Sequence, residues 1–161
     1  MEDMPEKQAP KSTEKKKGGA RSVSRLGAVQ ALYQLELTGG NPEAVINEFL
    51  DHYLGQDVEG VVYGRPDKSF FKDLMLGVST NRIALDAEIS RVLSNDWPLD
   101  RLAAVIRAIL RAGAYELRHR PDVPTKAIIN EYVDVAHAFY SDAEPGFVNG
   151  VLDRLGRELR G

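Results

Sequence analysis

The sequence has no cysteine, no long apolar run and little histidine, and each shortage removes a class of protein. Without cysteine, neither a disulfide framework nor a thiolate metal site can form. No segment approaches the roughly 18 apolar residues that cross a membrane, and the N-terminus lacks the apolar core of a secretory signal. The three histidines, His52, His119 and His137, lie in different segments, so none forms a helical metal pair with another. These absences indicate a cytoplasmic protein of bacterial type that binds no cofactor.

The usual motifs of catalysis and nucleotide binding are missing as well. No phosphate loop of the GxxxxGK[ST] type, no GxGxxG and no GxSxG occurs in the chain. Carboxylates are plentiful, but an acidic helical protein always contains carboxylate pairs, so they indicate nothing specific. Because an enzyme needs titratable groups gathered where they can act, the sequence predicts a binding protein and not an enzyme.

Charge is distributed unevenly along the chain, whose net charge is −3. Residues 1–25 contain seven basic and four acidic side chains, and the remaining residues contain 14 basic and 20 acidic ones. Residues 1–19 have almost no apolar side chains, so we predict a disordered basic N-terminal arm there. Such an arm is either a solubilising tail or an electrostatic contact for phosphates, to which Lys15, Lys16 and Lys17 would contribute.

The spacing of apolar residues predicts about seven helices and therefore an all-α domain over residues 20–161. Ser22 or Ser24 could cap the first helix, which should end at Gly39–Gly40. Asn41 and Pro42 are typical of the start of the second helix.

Later segments are predicted with the same reasoning. Residues 55–67 are rich in glycine and indicate a loop, which could hold a short strand at 61–63 but offers it no partner. The segment 102–113 follows the helical template most closely. Two helices are expected after it, at about 125–140 and 145–159.

The last helix contains an unusual pair, Asn149 and Gly150, within its apolar run. Gly150 would allow another helix to approach closely, at a cost of roughly 0.5–1 kcal/mol in helix propensity. Asn149 could then bond the backbone at the start of the helix at 125–140, or it could contact a ligand. Asn130 presents the same alternatives, because an amide beside Ile128 and Ile129 must find a hydrogen-bond partner if it is buried.

Four motifs occur in a characteristic order: AVQALYQLEL at 28–37, GVSTN at 77–81, RPDVPTKAIINE at 120–131 and FVNGVLD at 147–153. Together they resemble the NusB family of bacterial transcription antitermination factors, from about Arg21 to Leu159. The resemblance implies an all-helical fold of two perpendicular small helical bundles. It also implies binding of single-stranded boxA RNA in ribosomal RNA leader transcripts, together with ribosomal protein S10 (NusE), within the antitermination complex of RNA polymerase.

The resemblance also implies which residues bind RNA. Periodicity alone favours a core position for Phe139 and Phe147, but the family's RNA-facing aromatics align with them, and RNA bases stack on such rings. Arg21 and Arg25 are four residues apart and are expected to project from one face towards phosphates. The family often has a denser arginine cluster here, so we expect weak RNA binding without the partner. The full candidate set is Arg21, Arg25, Lys126, Phe139, Phe147 and Asn149.

The partner surface is implied in the same way. Tyr33 and the segment from Asp100 to Ile106 are expected to receive S10, whose basic character suits an acidic body. Tyr33 could equally be a core residue of the first helix. Two other readings remain: an RNA-binding domain like that of ribosomal RNA cytosine methyltransferases, and a helical adaptor that binds no RNA. The chain could also form a homodimer.

Overall fold

The computed structural model describes residues 19–54 and 64–161, and these residues are helical with no strand, as predicted. The predicted N-terminal arm lies outside the described residues except for Gly19, as do residues 55–63 of the predicted loop. A π-helical turn, Phe49–Tyr53, prolongs the second helix, and a 3-10 turn, Leu99–Arg101, precedes the fifth. The seven α-helices are α1 (Ala20–Thr38), α2 (Pro42–Glu48), α3 (Lys68–Thr80), α4 (Arg82–Val92), α5 (Ala104–His119), α6 (Thr125–Phe139) and α7 (Glu144–Arg160).

The helix ends follow the sequence signals except at the start of α1. Gly39 ends α1 in the left-handed region with φ 66°, and the Asn41 side chain accepts a hydrogen bond from the Glu43 N–H at 2.8 Å. The prediction that Ser22 or Ser24 caps α1 is wrong, because the helix begins earlier, at Ala20. Their hydroxyls instead donate to other segments, at 2.7 Å to a Glu131 carboxylate oxygen and at 2.6 Å to the Asp67 carbonyl.

The helices pack in two groups that share one core. Helices α1, α2 and α3 contact one another, and α5 contacts α4, α6 and α7 in the second group. Helix α1 also lies against α5 and α6, so it joins the two groups. Fully buried side chains come from both groups and form one cluster, which includes Phe71, Leu74, Ile109, Ile128 and Leu152.

The glycines show where the helices are packed too closely for a side chain. A Cβ at Gly77 would lie 2.2 Å from the Tyr115 ring, and one at Gly113 would lie 2.9 Å from a Leu152 methyl carbon. The prediction of close packing at Gly150 is wrong, because a Cβ there would meet nothing within 4 Å. Asn149 and Asn130 are both exposed, so neither amide needs a partner inside the protein.

A buried ion pair connects the two groups of helices. The Arg25 side chain of α1 donates to both carboxylate oxygens of Glu116 in α5, at 2.7 and 2.9 Å, and the Tyr132 hydroxyl donates to Glu116 at 2.5 Å. Arg25 is 4% exposed and Glu116 is 0% exposed. Burial alone would lower the pKa of the Arg25 guanidinium, but the hydrogen bonds and charge of Glu116 outweigh burial and raise it. Arg25 therefore stays charged, and its hydrogen bonds to Glu116 satisfy polar groups of both side chains.

Breaking this pair should strongly destabilise the fold. Arg25→Met should lower the free energy of unfolding by about 3–5 kcal/mol, because it leaves the Glu116 carboxylate buried without its counter-charge. The measurement is urea denaturation followed by circular dichroism. Arg21→Met is the matched control, since Arg21 lies one turn away with a side chain 43% exposed, and should cost at most about 1 kcal/mol. Equal losses in the two variants would contradict the role of the buried pair.

Candidate nucleic-acid interface

A basic end of the molecule forms where the first turns of α1 and α3 meet the loop before α6. Asp67 caps α3 by accepting from the Phe70 N–H at 3.0 Å, and its own N–H donates to the Ala20 carbonyl at 3.2 Å. Arg21 lies 3.8 Å from the Asp67 carboxylate and 3.7 Å from that of Asp122. These contacts hold Arg21 at the surface where the three segments converge.

One phenylalanine ring orients the guanidinium groups at this basic end. The guanidinium carbons of Arg21, Arg25 and Arg120 lie 4.6, 4.9 and 5.1 Å from the centroid of the Phe70 ring. These are cation–π distances, at which the ring attracts each cation. Phe70 itself is buried, so its ring is a fixed platform. Arg21 and Arg120 are thereby held in place before any ligand arrives.

Carboxylates already form ion pairs with the arginines of the basic end. Arg120 donates to both Asp122 oxygens, at 3.1 and 3.0 Å, and to Asp73 at 2.9 Å. The hydrogen bond from Arg120 is the main cause that lowers the pKa of Asp122 to about 2. Asp122 is therefore ionised throughout the physiological range. A phosphate that approaches Arg21 and Arg120 must compete with it.

The structure separates the two arginines that the sequence placed on one surface. Arg21 is partly exposed, but the prediction that Arg25 projects beside it towards phosphates is wrong, because its side chain is buried against Glu116. Glu131 also lies 3.3 Å from the Arg25 guanidinium. Lys126 is exposed in the first turn of α6, as a phosphate contact requires.

An aromatic end lies at the opposite end of α6. Phe139, at the end of that helix, is 39% exposed, whereas Phe147 in α7 is half-buried against the core and Asn149 is exposed. Thirteen residues separate Lys126 from Phe139, which corresponds to about 20 Å along the helix axis. The candidate RNA residues therefore form two separate groups and not one compact site.

Tyr33, the first predicted partner residue, lies at the surface of α1. It is 37% exposed, so the reading of Tyr33 as a core residue does not hold. The Tyr33 ring is therefore available to a partner.

The other two predicted partner residues, Asp100 and Ile106, differ in their exposure to solvent. Asp100 is exposed in the 3-10 turn, but the prediction that Ile106 contacts a partner is wrong, because its side chain is 4% exposed and belongs to the core. Asp100 borders a groove of about 460 Å³ that also includes Glu36, one turn after Tyr33. The groove is lined by Glu36, Arg82, Asp86, Ser90, Pro98, Leu99, Asp100, Arg107 and Arg111.

Ion pairs give this groove a defined shape. Arg107 and Arg111 both bind the Glu36 carboxylate, with nitrogen–oxygen distances of 2.5 and 3.0 Å, and Arg111 also binds Asp86 at 2.7 Å. Burial alone would raise the pKa of Glu36, but the two arginines outweigh it and lower the pKa. Both signs of charge are present, so a partner would need matching charges of both signs.

Sequence reasoning missed Phe70, Arg120 and Asp122 as members of the basic end. Phe70 belongs to no motif in the sequence, and Arg120 and Asp122 entered the prediction only as part of the motif at 120–131. No local signal identifies them, because their role depends on contacts with Arg21, which is distant in sequence from all three.

Two kinds of site are absent from the residues that the structure describes. Within 19–54 and 64–161, no group of three or more His, Asp or Glu side chains is arranged to hold a metal ion. None of the described helices is long and apolar enough to cross a bilayer.

Comparison with known proteins identifies the family. The NusB family model matches residues 22–157. The transcription antitermination protein NusB of Caulobacter vibrioides is 50% identical over 140 residues, which cover 87% of this chain and 94% of the relative. That of Bradyrhizobium diazoefficiens is 47% identical over 152 residues, which cover 94% and 92%.

Solved structures show the same fold. NusB of T. maritima superposes with a TM-score of 0.76 at 30% identity, covering 89% of this chain and 94% of the other. A structure of the antitermination factors NusB and NusE in complex with dsRNA gives 0.71 at 23% identity, covering 85% and 96%. The resemblance carried by the four sequence motifs is thereby confirmed. The chain belongs to the NusB family, which consists of transcription antitermination proteins and not of enzymes.

Proposed function

We propose that this protein binds single-stranded boxA RNA of ribosomal RNA leader transcripts together with ribosomal protein S10 (NusE), within the cytoplasmic antitermination complex of RNA polymerase. The observation that carries the proposal is the presence of cations at one end of α6 and of accessible aromatic rings at the other. Phosphates would bind Arg21, Arg120 and Lys126, and bases would stack on Phe139 and Phe147.

The aromatic end favours single-stranded RNA over a duplex. Bases in an A-form helix stack on one another, whereas bases of a single strand can be splayed out and stacked on protein rings. Each such stack contributes roughly 1–3 kcal/mol. Phe139 offers an exposed ring for this purpose. Exposed Asn130, one turn after Lys126, and exposed Asn149 add amides that can bond base edges.

The carboxylates around Arg21 and Arg120 indicate that RNA binding depends on a protein partner. Asp67 and Asp122 compete with RNA for Arg21, and Asp73 and Asp122 compete for Arg120. RNA binding by this protein alone should therefore be weak. A NusB of this fold forms a complex with NusE and dsRNA, which supports an assembly of this protein with S10 and RNA. Exposed Tyr33 would contribute to the surface that receives S10.

Competing functions have less support. A methyltransferase RNA-binding domain is not favoured, because the relatives are named as antitermination proteins. An adaptor that binds protein and no RNA would use the mixed-charge groove between Glu36 and Asp100, and it leaves the exposed aromatic end unexplained. Homodimer formation stays a prediction.

The central test is an RNA titration with and without S10. In gel-shift assays, S10 should strengthen binding of this protein to boxA RNA by about tenfold or more, because two surfaces then hold one strand. A boxA duplex should bind more weakly than the single strand, and a scrambled single strand should gain less from S10. The same affinity with and without S10 would refute the proposal.

Removing the competing carboxylate should strengthen RNA binding. Asp122→Asn keeps the size of the side chain but frees Arg21 and Arg120 for phosphates, so boxA affinity should rise about two- to fivefold in low salt. Fluorescence anisotropy measures the change. Asp96→Asn is the matched control, since Asp96 is exposed in the turn after α4, and it should leave affinity unchanged. A weaker complex with Asp122→Asn would mean that this carboxylate contacts RNA directly or maintains the site.

The aromatic end can be tested by comparing exposed and buried side chains. Phe139→Ala should weaken boxA binding by about 1–3 kcal/mol with little change in melting temperature. Phe147→Ala should weaken binding similarly and also lower stability, because Phe147 packs partly against the core. The control Leu152→Ala removes a fully buried side chain and should cost about 2–5 kcal/mol of stability without a specific loss of RNA affinity. Unchanged RNA affinity in Phe139→Ala would remove that ring from the interface.

A further inference from the structure

A groove between α4 and α7 concentrates arginine side chains in a chain whose net charge is negative. Its volume is about 430 Å³. Helices α4 and α7 contact each other, and the arginine side chains that line the groove are exposed. The groove is lined by Arg91, Val92, Arg154, Arg157 and Glu158.

Pairing within the protein does not account for these charges. Arg157 forms an exposed ion pair with Asp153, but within residues 19–54 and 64–161 no carboxylate lies within ion-pair distance of Arg91 or Arg154. Arg91 and Arg157 lie in the last turns of their helices, where the helix dipole stabilises cations. Arg154 lies before that last turn, so neither an ion pair nor the helix dipole explains it.

The exposed face of α7 leads from the aromatic end to this groove. Gly146, Gly150, Arg154 and Arg157 are spaced by four, four and three residues, so they lie on one face over about 16 Å. A Cβ at Gly146 or Gly150 would meet nothing within 4 Å, and neither glycine has a positive φ. Neither packing nor backbone conformation therefore requires glycine here, although glycine is less favourable than alanine inside a helix. The result is a face of α7 on which two successive turns carry no side chain.

From this arrangement we infer that RNA bound at Phe147 continues along the exposed face of α7 and places phosphates in the groove at Arg91 and Arg154. The inference rests on the proposed RNA function and extends it to nucleotides that flank the boxA element. Arg154 lies about 10 Å along the helix from Phe147, and the two glycines remove side chains that would obstruct the strand. The contacts are electrostatic and therefore independent of the flanking sequence.

The experiment compares boxA RNA alone with the same RNA extended by about ten uridines at either its 5′ or its 3′ end, a length within known single-strand site sizes. Without S10, an extension at one of the two ends should strengthen binding by about tenfold in roughly 50 mM salt. It should also steepen the salt dependence by about 0.7 per additional phosphate contact. Arg154→Glu should abolish both effects and leave the affinity for boxA alone unchanged.

Arg101→Glu is the matched control, because Arg101 is exposed and lies outside the groove; it should keep the gain from the extension. Gly150→Leu tests the path without changing charge. It should lose the gain while its melting temperature does not fall, since its side chain enters open space. A gain that persists in Arg154→Glu, or the absence of any gain at both ends while boxA alone binds, would overturn the inference.

A different experimental result is expected if the proposed function itself is wrong. In that case boxA RNA would bind no better than a scrambled strand. An oligouridine without boxA separately tests the groove, since it should bind weakly to the parent and more weakly to Arg154→Glu. If a polyglutamate peptide instead bound the parent in an Arg154-dependent way while oligouridine did not, the groove would be a protein-docking site and the inference would be wrong.

Discussion

The buried contact between Arg25 and Glu116 is the interaction on which the arrangement of this molecule depends. It joins α1 to α5 at the place where the two groups of helices meet, and the Tyr132 hydroxyl of α6 completes it. A buried ion pair contributes less to stability than its geometry suggests, because both charges must be desolvated. Its directional bonds nevertheless fix how α1 lies against its neighbours. That orientation sets where Arg21, one turn away, meets the solvent.

Buried residues therefore position the exposed side chains of the proposed RNA surface. Arg25 holds the start of α1, Phe70 aligns the guanidiniums of Arg21 and Arg120, and α6 separates this basic end from Phe139 by about 20 Å. Electrostatic attraction and base stacking thus act at different places along one strand. The acidic side chains between and around these groups limit nonspecific attraction. Specific recognition then depends on several weak contacts made at the same time.

The sequence predicted the fold well because helix formation leaves local signals. Apolar periodicity gave the number and approximate position of the helices, and Gly39 and Asn41 marked their ends correctly. Burial was harder to predict, because it depends on contacts between distant segments. Arg25 and Arg21 look equivalent in sequence, and contacts with distant residues such as Glu116, which is 91 residues from Arg25, distinguish them. Ile106 was misplaced for the same reason, whereas Gly150 was assigned to a helix contact that does not exist.

The ring of Phe70 links the stability of the fold to the binding of the proposed ligand, two properties that are usually measured separately. Its face contacts Arg25, which belongs to the buried pair, and also Arg21 and Arg120, which face the proposed ligand. Replacement of this ring by an aliphatic side chain would preserve much of the apolar volume but remove the π face. Genetic screens for defective antitermination should therefore recover Phe70 substitutions in two forms, one that lowers protein abundance and one that leaves a folded protein with misaligned arginines. A substitution of Phe70 during evolution would require further changes that preserve both the helix packing and the affinity for the ligand.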